Sequence, residues 1–270
     1  MIVVDPTPGT NRHALPAMPI AGANTVDPVD AVDASSAVEF MREALIKISE
    51  DEIGVIAELL ARKQALLAPA LTEAALRSAN AATVRPILAR VFATRRRSDE
   101  IITTVGAPAL ANEIRELIHG DGSLQSRFTR FDDALSGLDA PIRRELAGEC
   151  LHFADPERHW LWARWMWDPE AKTGSLPLLM VDDFDFGGED AGAIYLRVGA
   201  ATSAVVATAD DLGFRRMRAN PFAVDVYLAA IYGIYLYTVT RLRMTQEFNR
   251  VIPQLPDLAR RLLGVHRLEA

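Results

Sequence analysis

Residues 150–168 read CLHFADPERHWLWARWMWD. All four tryptophans of the protein fall in this stretch, at positions 160, 162, 165 and 167. Cys150, the lone cysteine, lies there too, with two of the five histidines, His152 and His159. Asp155-Pro156-Glu157 predicts a helix start: aspartate caps, proline suits the first turn, and glutamate suits the positive helix end. On such a helix Trp160 and Trp167 share one face, and Trp162 and Trp165 share another. Two aromatic faces predict a segment wedged between helical layers, where each indole buries about 150–250 Å². A face left over after the interior is filled would be a hot spot for another protein, built from Arg158, Trp160, Trp162, Arg164, Trp165 and Trp167, because tryptophan and arginine dominate such sites.

The same stretch holds metal-ligand types in Cys150, His152, Asp155, Glu157 and His159. They suit a divalent metal, and a pocket lined by them is the enzymatic or small-ligand alternative. The two histidines stand seven apart across the expected break at Asp155-Pro156. That spacing does not put them on one turn of a helix, so no cofactor is expected. Cys150 with His152 or His159 is also the one candidate nucleophile and base, provided the fold brings them together.

On the N-terminal side, the periodicity is helical. Ser35 or Ser36 can cap a helix carrying Val38, Met41, Leu45 and Ile48, and Ser49 to Glu52 fits a capping box. Further helices follow over 53–67, from Asn80, and over 108–118, 124–135 and 141–152. Pro86 would break the one from Asn80 unless that helix began near residues 83–85. Residues 1–35 hold five of the fifteen prolines and no apolar period, which predicts a disordered tail.

On the C-terminal side, 176–181 and 194–198 read as two short strands flanking an acidic loop of Asp182, Asp183, Asp185, Glu189 and Asp190. The loop lacks the bidentate glutamate of an EF-hand: position twelve, counted from Asp183, is Ile194. A helix over 200–212 closes at Gly213. Asn220-Pro221 opens a long helix, apolar all round to Thr240 and therefore central. The apolar run from Val226 to Thr240 is shorter than the roughly 20 residues a membrane span needs. Asp225 on that helix needs a partner from another element if it is buried.

The expected fold is therefore mainly α: an irregular multi-helix bundle with a minor two-strand element around 176–198. A tail over 1–35, a bundle over 36–153 and a second helical region over 154–270 are the expected divisions. Half the residues are hydrophobic and the net charge is −7. That balance suits a cytoplasmic protein and disfavours general attraction to nucleic acid or anionic lipid. Arg95-Arg96-Arg97, with Arg85 and Arg90 nearby, is the local exception and the candidate contact for nucleic acid. No G-x-S-x-G, P-loop or G-x-G-x-x-G is present. The function expected from these residues is non-catalytic: binding another protein as an accessory or scaffold, with a homo-oligomer also compatible.

Overall fold

In the computed structural model, residues 31–211, 220–243 and 253–268 are described. They form α1 (Ala34–Lys47), α2 (Glu50–Leu67), α3 (Glu73–Arg77), α4 (Ala81–Arg90), α5 (Ser98–Val105), α6 (Ala107–His119), α7 (Leu124–Ala134), α8 (Ala140–Ala154), α9 (Ala191–Asp211), α10 (Ala223–Arg243) and α11 (Leu255–Leu262). The protein is mainly helical, as its periodicity predicts.

Local chemistry sets the helix starts. Asp33, rather than either serine, caps α1 by accepting the Ser35 and Ser36 amides. Ser49 and Glu52 form the full capping box of α2. Asn80 caps α4 and Ser123 caps α7. Pro86 sits inside α4, not before it. The helix tolerates it, and Arg90 Nη1 donates to the Pro86 carbonyl at 3.0 Å.

The expected strands are absent. Among the described residues only isolated bridges occur, Val32 with Met180 and Asp168 with Thr173. Residues 176–178 form one short 3₁₀ turn, and 194–198 lie within α9. Apolar runs of five or six residues have no period that distinguishes strand from buried helix, and Ile194 to Val198 falls on the wrong side of that ambiguity. Of the expected tail, residues 1–30 lie outside the described residues. Its last part is ordered: Ala31 and Val32 are buried, and Val181 N–H donates to Ala31 O at 3.0 Å. The expected stop at Gly213 also lies outside.

Helices from both halves of the chain share one apolar core. α10 packs against α1, α2 and α11, while α9 packs against α7. α9 is long and apolar enough, over Ala191–Ala209, to cross a membrane by length and composition. It buries Tyr195, Val198, Ala201 and Val205 inside the protein.

Candidate functional site

The tryptophan-rich stretch is not a helix. α8 continues through Ala154, and Asp155 ends that helix instead of starting another. Residues 155–175 then run as turns and extended chain. Asp155-Pro156 is compatible with either role, because proline follows helix ends as readily as it opens helix starts. The chain is held by its own backbone: Ser175 N–H donates to Trp165 O at 2.9 Å and Leu176 N–H to Met166 O at 3.1 Å. Gly174 makes this approach possible. At φ +152 a Cβ there would lie 2.1 Å from Met166 O.

All four indoles are enclosed, and none exposes more than 9 % of its surface. Trp162 sits on Gly148 of α8, where a Cβ would come within 2.7 Å of the Trp162 carbonyl, and against the Phe128 ring. Trp160 fills the notch at Gly199 of α9, and Tyr195 Oη donates to its carbonyl at 2.9 Å. Trp167 stacks on Phe186 at 4.5 Å between centroids. The spare aromatic face that the helical reading required does not form. Of the expected hot spot, only the arginines reach solvent: Arg158 (74 % of its side chain) and Arg164 (55 %).

Glu145, Glu149 and His152 lie along α8, all buried. Each has a partner from a distant segment. Glu149 Oε2 accepts from Lys63 Nζ of α2 at 2.6 Å, and its Oε1 accepts from the Phe92 amide at 3.0 Å. Lys63 also donates to the Leu263 carbonyl at 3.1 Å and lies over the Phe153 ring. His152 Nε2 is 2.9 Å from Asp225 Oδ2, and its Nδ1 is 2.8 Å from the His159 carbonyl. A carbonyl and a carboxylate both accept, so this setting favours the doubly protonated ring. Burial opposes that charge, but the Asp225 carboxylate outweighs it and holds the His152 pKa above its ordinary value. Asp225 thus finds the cross-helix partner its burial demands, although its Oδ1 has none.

The metal-ligand types do not gather. Among the described residues no group of three or more His, Cys, Asp or Glu side chains is placed to hold an ion. Both ring nitrogens of His152 are engaged, Cys150 is buried with its thiol pushed well up by burial, and burial lowers His159 to about 4. Glu149-x-x-His152 is an E-x-x-H spacing legible in the sequence, and it marks the two buried groups of α8 whose roles here are structural pairs. In the acidic loop, Asp182, Asp183, Asp185 and Glu189 are exposed. Asp190 accepts from the Ala193 amide at the start of α9.

At the N-terminal end of α8 the surface carries a shallow recess, bordered by Pro141, Arg144, Trp162, Arg164, Trp167 and Asp168. Arg164 Nε donates to Glu145 Oε1 at 2.8 Å. Burial raises the Glu145 pKa, against the lowering effect of that contact. Two buried donors here have no hydrogen-bond partner, Trp167 Nε1 and Arg144 Nε. Arg144 Nε lies 3.6 Å from Asp132 Oδ1, within ion-pair range only. Trp162 Nε1, by contrast, donates to the Trp167 carbonyl at 3.0 Å.

The basic run divides. Arg97 is consumed by Glu100, at 2.6 Å and 2.8 Å, and by Asp139 at 2.8 Å, and Arg85 pairs with Asp99. Arg95 lies over the Phe92 ring at 4.5 Å. Comparison of the chain with protein-family models, with curated proteins and with solved structures finds no match.

Proposed function

We propose that this is a non-catalytic, cytoplasmic helical protein that works by binding another protein, and that the contact is made at the recess beside Arg144, Arg164 and Trp167. One observation carries the reading: the buried indole N–H of Trp167 has no acceptor within the chain. A buried donor left without a partner costs about 1–3 kcal/mol, so a group that supplies an acceptor is favoured there. Arg144 Nε, at the same recess, has no hydrogen bond and only the ion pair with Asp132 at 3.6 Å. The donors match a carboxylate or carbonyl oxygen, and the recess is too shallow to enclose a nucleotide or a larger cofactor. Arg164, largely in solvent, supplies a charged rim from the residues that the sequence marks for protein contact.

The test is affinity capture from native extract with the wild-type protein, Trp167→Phe and Arg164→Glu. Phenylalanine keeps the packing on Phe186 but removes the donor. One stoichiometric protein, recovered by the wild type and recovered less by both variants, supports the reading. Equal recovery by all three sinks it. An enzymatic reading around Cys150, His152, Asp155 and His159 has less support, because those groups are bonded to one another's backbone or buried.

A further inference from the structure

The fold joins two segments that are far apart in sequence. Residues 90–97, after α4, meet the chain that follows α11. Gly264 marks the contact: a Cβ built on it would lie 3.8 Å from Phe92 Cβ, 3.9 Å from Arg90 O and 3.3 Å from Lys63 Nζ. The buried Lys63–Glu149 pair clamps both segments, through the Leu263 carbonyl on one side and the Phe92 amide on the other. The result is a cluster of cations. Arg95 feels the repulsion of Arg96 and Arg267, and His266 that of Arg95, Arg267 and Arg261. Arg96, Arg261 and Arg267 are exposed.

No carboxylate stands within ion-pair distance of Arg95, Arg96, Arg261 or Arg267 among the described residues. Glu149, the one acid among the described residues that acts on Arg95, is already bonded to Lys63 and the Phe92 amide. On a chain whose net charge is −7, so concentrated a group of cations, with no ion-paired acid among the described residues, runs against the whole. Like charges held together repel, and an anion relieves that cost.

We propose that this cluster, from Arg95, Arg96, Arg261, His266 and Arg267, is a docking surface for the phosphodiester backbone of a nucleic-acid strand. The surface offers charge without an apolar anchor. Its one aromatic ring, Phe92, is covered by the Arg95 guanidinium. Protein partners draw their affinity from buried aromatic or aliphatic anchors, and a membrane-seated segment needs apolar residues to insert. Binding to a phosphate backbone needs neither, because releasing condensed counterions supplies the free energy. The surface is separate from the recess, and it uses Arg95 and Arg96 of the basic run but not Arg97.

The experiment is fluorescence anisotropy on the full chain with a labelled single-stranded DNA and its RNA counterpart, each about twenty nucleotides long. Contacts to four phosphates give a log–log salt slope near −3, so affinity should fall about 60-fold between ~50 and ~200 mM salt. The double variant Arg96→Ala/Arg267→Ala, at two exposed positions, should keep the wild-type circular dichroism. It should lower the slope by about 1.4 and weaken binding at ~50 mM salt at least about tenfold. Binding unchanged in that variant overturns the proposal, as does no binding at low salt. Phosphatidylserine vesicles and polyglutamate are the comparison probes. If either is bound as tightly as the oligonucleotides, the surface is a general anion patch and the assignment fails.

Discussion

The two ends of α8 use the same kinds of residue to opposite effect. At its C-terminal end both oxygens of Glu149 and both ring nitrogens of His152 have partners within the chain, although Asp225 Oδ1 and His159 Nδ1 beside them have none. At its N-terminal end the neighbouring Trp167 Nε1 has none, and Arg144 Nε has only the ion pair with Asp132. Charge inside the closed end holds helices in register. On the proposed function, the Trp167 N–H at the other, open end is left for an acceptor on a partner. A polar residue's identity therefore says little about its role, and whether the chain itself satisfies it says much more.

The largest expected effects come from breaking the closed end. Lys63→Ala leaves Glu149 charged and unpaired in the core, and loss of one partner of a buried pair costs about 3–5 kcal/mol. Trp162→Ala opens a cavity between α7 and α8, with a cost again of about 3–5 kcal/mol. Chemical denaturation of each variant measures both. A loss below about 1 kcal/mol in either would mean that the closed end is not the structural anchor.

His152 gives the next effect, and its sign is fixed. Its folded pKa is raised above the ordinary 6.5, with burial opposing and the contacts with Asp225 and the His159 carbonyl prevailing; Lys63 nearby works weakly against it. The stabilisation is complete below about pH 6.5 and disappears as pH rises through the folded value. The melting temperature should therefore fall on going from neutral to alkaline pH, and His152→Gln should flatten that slope. A wild-type stability that rises over this interval contradicts the pairing with Asp225.

Much of the helical half was legible because its signals are local. The capping box at Ser49, the asparagine at 80 and the amphipathic periods each need only a few neighbouring residues. The 155–190 region was not legible, because its conformation is decided by partners far away. Trp162 lies where Gly148 lets its backbone in, and Trp160 lies where Gly199 leaves a notch. A glycine inside a helix, at a cost of about 1 kcal/mol relative to alanine, is the sequence mark of such an approach, but it does not name what approaches. The candidate site was half visible. Arg164 and Trp167 stand in the marked stretch, whereas Arg144 comes from α8 and carries no local signal. The cation cluster was visible only as Arg95-Arg96-Arg97, because Arg261, His266 and Arg267 join it through tertiary contact.

Smaller effects sharpen the open end. Trp167→Phe should weaken partner binding by about five- to tenfold, the worth of one hydrogen bond, with little change in the unfolding midpoint. Arg158→Ala should change neither binding nor stability by more than about 0.5 kcal/mol, since that side chain is 74 % exposed and only 4.0 Å from Asp155. A binding defect in Arg158→Ala equal to that of Trp167→Phe would move the contact away from the recess.

The most direct measurement is the indole region of a ¹H–¹⁵N spectrum, where each of the four tryptophans gives its own N–H resonance. Trp162 Nε1, bonded to the Trp167 carbonyl, should keep its position when a captured partner or an acidic peptide is added. Trp167 Nε1 should move downfield as it gains an acceptor. A Trp167 resonance that stays fixed while binding is seen by another probe would contradict the account.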